Sequence, residues 1–132
     1  MDFRKLRIAE SQDWKILLHQ DQTCPGRLYF WYKNESQDLL DIPEDALLDF
    51  FRLALKVKKI LSDIFQPDMF NYLSLNNRTK HLHIHLIPRY SRKIEKFGLV
   101  FEDTSYGKDY KTNPDFKVTE DVLTKIKDLI KF

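Results

Sequence analysis

The 132-residue chain is poor in the residues that punctuate or cross-link a fold: one cysteine, three glycines and five prolines. A lone cysteine, Cys24, can neither close an internal disulfide nor build a zinc site from several thiolates. So little glycine and proline argues against a collagenous, linker-like or low-complexity chain. No apolar run approaches the roughly 18–20 residues that span a bilayer. The opening Met1-Asp2-Phe3-Arg4-Lys5 has no apolar signal-peptide region, which predicts a cytoplasmic, reducing setting and no membrane partner. An excess of one charge is missing too: 22 Lys and Arg against 20 Asp and Glu leave a formal net charge of +2. That balance does not advertise nucleic acid as a partner.

What remains is material for one core. A 42% hydrophobic fraction, with ten Phe, six Tyr and two Trp, suits a single domain over residues 1–132. Residues 6–8 read as a short edge strand, residues 14–19 as a better one, and residues 28–32 as an aromatic strand covered on both faces. Asp21, Pro25 and Gly26 supply the turn of an antiparallel hairpin between the last two. A long amphipathic helix of about 24 residues follows. Its expected cap is Asp41, with Pro43 in the first turn, Pro67 as terminator and an inward stripe through Leu47, Phe51, Ala54, Val57, Leu61 and Ile64. Residues 69–75 and 81–87 read as strands around a polar turn, the second closed by Pro88. Residues 97–101 read as a further strand, residues 103–114 as loop, and Thr119 as the cap of a last helix striped by Val122, Leu123, Ile126, Leu129 and Ile130. The order predicts an α+β fold with a mainly antiparallel sheet, one long central helix and a C-terminal helix.

Three of the four histidines stand at alternate positions in His81-Leu82-His83-Ile84-His85-Leu86-Ile87. Random placement gives this spacing about once in a thousand such chains, so it calls for an explanation. On a strand the imidazoles share one face, while Leu82, Ile84 and Leu86 share the other and can anchor it to the long helix. A hydrogen-bonded face without chemistry is one reading. A metal site is another, but the outer rings start roughly 13 Å apart at the backbone, so three cannot converge on one ion without a sharp bend. The row suits a phosphate better. The middle ring can attack phosphorus while its neighbours reach flanking oxygens, and an ordinary imidazole is largely unprotonated at neutral pH. Covalent catalysis at phosphorus is the chemistry this pattern favours. Lys56, Lys58 and Lys59 read as a solvated helix face, and Arg89, Arg92, Lys93 and Lys96 as exposed charge. Residues 29–32 read as core or subunit interface.

The row, with Pro88-Arg89 after it, the Pro25-Gly26 turn and the long helix before it, resembles the nucleotide-hydrolase members of the histidine triad (HIT) superfamily. The resemblance implies a HIT-like fold whose sheet joins a second subunit's across a two-fold axis, hence a homodimer, and a groove for an adenine or guanine nucleotide. By the same resemblance His83 attacks the α-phosphorus, and the nucleotidyl-histidine that forms is cleaved by water. His85 contacts the phosphate or leaving group. His81 orients the row, its backbone carbonyl holding the other nitrogen of His83. Asn77 and Asn71 match phosphate-site amides, and His19 a ribose-contacting position. The paired-cysteine motif of zinc-carrying members is absent, so no structural metal and no obligatory cofactor are expected. His85 stands where a transferase branch has Gln, which favours hydrolysis. Arg27, not His, follows Pro25-Gly26, and Arg78 replaces a Ser or Thr found in many members. The competing functions are a non-catalytic nucleotide-binding or scaffold protein, which binds without a covalent label, and a His-ligated metalloenzyme, which a chelator inactivates.

Overall fold

The computed structural model describes residues 2–132; Met1, part of the expected unit 1–132, lies outside the described residues. Five strands, β1 (Arg7–Glu10), β2 (Trp14–Leu18), β3 (Leu28–Tyr32), β4 (Met69–Leu73) and β5 (His83–Arg89), form one sheet in the order β1-β2-β3-β5-β4. Every pairing in it is antiparallel. The class is α+β. The β2–β3 hairpin pairs Trp14 with Tyr32 through to Leu18 with Leu28. Its connecting turn is cemented by the buried Gln22, whose amide donates to the carbonyls of His19 and Arg27 and accepts from the Gly26 N–H. Gly26 adopts φ +93°, and a Cβ there would sit 2.9 Å from Leu61 Cδ2. The position therefore demands glycine on both counts.

Alternation divides the sheet into two faces. Trp14, Ile16, Leu18, Leu28, Phe30, Ile84 and Leu86 are buried beneath α1 (Glu44–Phe65). Phe50 reaches from the helix to Trp14 and Phe30, with ring centroids 5.3 and 4.9 Å away, and the Trp14 indole donates to the Ala46 carbonyl. Each large apolar side chain so buried contributes on the order of 1.5–3 kcal/mol. Tyr29 and Trp31 lie on the other face, half-buried. β3 is thus covered by the core on one side only, contrary to the continuous burial that its aromatic run suggests.

The long helix begins later than expected. Asp41 closes a separate 3-10 turn, Leu39–Asp41, and Pro43 takes the N-cap position of α1 with no side-chain bond. The extended Pro43 backbone instead offers its carbonyl to the N–H groups of Ala46 and Leu47. At the other end the left-handed Gln66, φ 48°, stops the helix one residue before Pro67. Phe51, expected inward, is 58% exposed and Leu55 54%; the inward stripe is narrower than the apolar one and runs through Ala46, Val57, Leu61 and Phe65.

β5 also departs from expectation, starting two residues late and running through Pro88. His81 and Leu82 precede the strand, the Leu82 N–H donating to Ser36 O while its carbonyl still accepts the Tyr32 N–H of β3. β3 pairs with β5 only as far as Leu86, so Pro88 occupies a segment open on that side, where its missing donor is tolerated. A hairpin, β6 (Ile94–Lys96) and β7 (Leu99–Phe101), turns at Phe97 and Gly98, both at positive φ. The loop that follows returns under β5, and α2 (Glu120–Leu129), capped by Thr119 through a 3.2 Å bond from Val122 N–H, lies against the 3-10 turn Phe3–Leu6. No helix among the described residues is long and apolar enough to cross a membrane.

Candidate active site

The face of the sheet away from α1 carries the histidines. Leu82, Ile84 and Leu86 anchor the segment in the core, so His83 and His85 project to the opposite side, where with His19, Tyr29, Trp31 and Phe3 they line a cavity of about 230 Å³. His83 pairs across the sheet with Trp31, and His85 with Tyr29. The rings of His83 and His85 stand edge to face, 5.0 Å apart, and His19 lies 5.6 Å from His85.

Hydrogen bonds assign most of the protons. His83 Nδ1–H donates to the His81 carbonyl at 2.8 Å, which leaves the lone pair on Nε2. His81 sits just before β5, stacked on Trp31 at 4.1 Å between centroids, with its Nε2–H donating to the Tyr32 carbonyl. His19 accepts the Asp21 N–H on Nδ1 at 3.0 Å, and its proton is therefore on Nε2. Burial, reinforced by the Arg27 charge, pushes His19 down to about 3; the same two causes in the same order push His85 down to about 4. Both rings are neutral at physiological pH.

Arg27 connects these rings to the C-terminal loop. Its Nη1 bonds Asp21 Oδ2 at 2.8 Å, its Nη2 faces His85 Nδ1 at 3.4 Å, and its guanidinium lies over the Tyr110 ring. Asp21 also accepts from the Thr23 N–H and hydroxyl and from the hydroxyls of Tyr110 and Thr112. Burial alone would raise its carboxyl, but these bonds outweigh it and hold the group at about 2. Arg27 Nε is buried with no hydrogen-bond partner among the described residues, a placement that costs about 1–3 kcal/mol.

The other expected residues are distributed unevenly. Asn77 is exposed in the turn before β5 and makes no side-chain bond among the described residues; its neighbour Asn76 does reach the row, accepting the His83 N–H at 3.3 Å and donating to Gln37 O. Asn71 lies on the histidine face opposite Ile87, yet its amide oxygen is taken by Arg89 at 2.8 Å. Arg89 itself is not an exposed charge. It is 2% exposed and paired with buried Asp103 at 2.7 Å, because β5 carries it under the returning loop. Sequence reasoning missed Asn76, Trp31 and the Asp21–Arg27 pair. Counting alternate positions from core Leu28 would have placed Tyr29 and Trp31 beside the histidines. Among the described residues no three His, Cys, Asp or Glu side chains are grouped to hold a metal ion.

A two-layer α+β domain with histidines from one central strand facing an open cavity defines a class, and the comparisons identify the family. The HIT domain family matches residues 3–92, and the chain belongs to it. Protein hit from Bacillus subtilis (strain 168) is 24% identical over 115 residues, covering 83% of this chain and 77% of that protein. A histidine triad protein from Bradyrhizobium japonicum superposes with a TM-score of 0.73 at 16% identity, over 94% of this chain and 86% of the other. A histidine triad nucleotide-binding protein from Sulfolobus tokodaii, described as hypothetical, gives 0.69 at 16% identity over 95% and 80%. At these identities the solved structures establish the shared fold.

Proposed function

We propose that this protein is a cytoplasmic hydrolase of nucleoside phosphate derivatives that works through a nucleotidyl-histidine on His83. The observation that carries the reading is the His83 ring. Its Nδ1–H is tied to the His81 carbonyl, so the lone pair stands on Nε2 at the wall of a cavity large enough for a phosphoryl group and part of a nucleoside. In the first step Nε2 attacks the α-phosphorus and the bond to the leaving group breaks, the leaving group keeping the electron pair. In the second, water attacks the same phosphorus, the P–N bond breaks, its electrons return to His83, and the proton of water passes to solvent. His85 and His19, neutral with Nε2–H, offer hydrogen bonds to phosphoryl or ribose oxygens. Asn76 steadies the His83 backbone. Asn77 and Asn71 enter the proposal only as outer contacts for a larger polyphosphate, since neither lines the cavity. Nucleotide binding by the Sulfolobus protein, as its name has it, agrees with this assignment.

The working form is a homodimer. β4 is an edge strand, and Tyr72 at 48% exposure forms with Phe51, Ala54 and Leu55 of α1 an apolar surface beside it that a second copy would cover.

A trap with an α-phosphate-labelled adenylyl substrate, quenched in base because phosphohistidine is acid-labile, tests the chemistry. The label should appear on the protein, and His83→Ala should lose it together with at least about 10³-fold in turnover, with chelator present throughout. A variant that turns over like the parent refutes the mechanism. Binding without any label would make the chain a nucleotide-binding protein instead.

A further inference from the structure

Against His85, outside the cavity lining itself, stands a cation that the chemistry above leaves without a task. Arg27 follows the Pro25-Gly26 turn and is held from below by Asp21, itself fastened by Tyr110 and Thr112 of the C-terminal loop. Its Nη2 faces His85 Nδ1 at 3.4 Å. A guanidinium can only donate, so Nδ1 must carry a lone pair and the ring's proton must be on Nε2. Protonating Nδ1 would place two positive donors against each other. The other groups around His85 are His83 on its own strand, Tyr29 from β3 and His19 from the end of β2, none of them anionic. Leu73 opposes it on β4. Asp21, the carboxylate bound to Arg27, is engaged by four further donor contacts.

We propose that Arg27 is a positioning residue that fixes His85 as a neutral ring donating through Nε2–H, and that the site is thereby selective for substrates whose leaving group departs as an anion. This rests on the nucleotidyl-histidine reading of the same site. A neutral imidazole that gave up its Nε2 proton would become an imidazolate, so His85 can hydrogen-bond a phosphoryl oxygen but cannot act as an acid. When the bond broken is P–O, the departing phosphate, carboxylate or sulfate takes the electron pair and needs no proton. When it is P–N, as in a phosphoramidate, the nitrogen must be protonated before it leaves, and His85 does not supply that proton. Burial and the Arg27 charge, which hold His85 near 4, act in the same direction.

Two measurements on the full chain test this. Long-range ¹H–¹⁵N spectra of the wild-type protein should show His85 as the Nε2–H tautomer and still neutral at pH 5.5. In Arg27→Gln its titration midpoint should rise by about half a pH unit or more. An Nδ1–H tautomer, or a wild-type ring half-protonated near pH 6.5, overturns the role of Arg27. The second measurement compares kcat/KM for diadenosine triphosphate and adenosine 5′-phosphoramidate. The anhydride should be favoured about 100-fold, the usual worth of a missing general acid, and Arg27→Gln should narrow the ratio about tenfold. Equal turnover of the two by the wild-type protein overturns the selectivity. Should the variant not fold, the wild-type spectra and the wild-type ratio decide. If neither substrate is hydrolysed, the selectivity falls with the hydrolase reading, and the spectra alone still decide whether Arg27 governs His85.

Discussion

Replacing Arg89 by Met should be among the most damaging single changes outside the cavity, although the sequence made this residue look like surface charge. Its side chain is buried and all five N–H donors are used. Nε and Nη2 hold the two Asp103 oxygens at 2.7 and 3.2 Å, Nη1 holds Asn71 and the Lys108 carbonyl, and Nη2 also holds the Ser105 carbonyl. Methionine fills much of the volume and replaces none of these bonds. Asp103 would keep the Tyr90 and Ser105 N–H groups, the Ser105 hydroxyl and the weakly donating Cys24 thiol around a buried negative charge. Breaking one side of such a pair costs about 3–5 kcal/mol, a third or more of a typical domain's stability. For a chain of this size that corresponds to a fall of roughly 10–20 °C in Tm. Urea melts of Arg89→Met, Asp103→Leu and the double variant check the reasoning. The double variant should be more stable than the sum of the singles predicts, by at least about 1 kcal/mol. Burial raises the Asp103 carboxyl, and the Arg89 bonds outweigh it and hold it low. Without Arg89 the acid protonates more readily, so the deficit of Arg89→Met should narrow as pH falls. A single variant within about 1 kcal/mol of the parent, or strict additivity in the double, refutes the argument.

Gly26→Ala should destabilise by about 2–4 kcal/mol, because it adds a methyl 2.9 Å from Leu61 at φ +93°; a denaturation midpoint unchanged from the parent would contradict the packing described. Acid should weaken the fold well above the carboxylate range. His19 and His85 titrate near 3 and 4 when folded against 6.5 as free groups, so the unfolded chain takes up protons first and stability falls as pH drops from about 6.5 toward 3. Asp21, held at about 2, adds a loss of the same sign below about 4. A Tm that stays level between pH 7 and 4.5 would be incompatible with neutral buried rings. Tyr72→Arg places charge on the exposed edge of β4 and should shift the proposed dimer to monomer in sedimentation velocity, with little change in far-UV circular dichroism; a dimer that persists unchanged would place the interface elsewhere.

Periodic features were legible in the sequence, and features decided by partners distant in the chain were not. Alternation of Leu82, Ile84 and Leu86 with the histidines predicted the two faces of the segment, and burial follows that division residue by residue. Thr119 with Glu120 and Asp121 announced α2 correctly. Asp41 carried the same kind of signal and misled, because a second capping residue, Asp38, starts a short turn that consumes it. Phe50 and Phe51 are indistinguishable in hydrophobicity, and only the position of Trp14 and Phe30 decides which one turns inward. Arg89 reads as exposed until the loop supplies Asp103, fourteen residues further on. At the site, His19 comes to the triad, whereas the amide that meets His83 is Asn76, one position from the expected Asn77, since a left-handed backbone at Asn76 sets which side chain turns back. Such a one-residue choice is made by turn geometry, which composition does not encode.

The two tryptophans divide the optical signal of the molecule between its layers. Trp14 is sealed in the core and bonded to the Ala46 carbonyl, whereas Trp31 stacks on His81 at the rim of the cavity. Intrinsic emission therefore contains two separable channels, one reporting whether the chain is folded and the other whether the cavity is occupied. Trp14→Phe would isolate the second, giving a label-free readout of ligand arrival on the stopped-flow timescale.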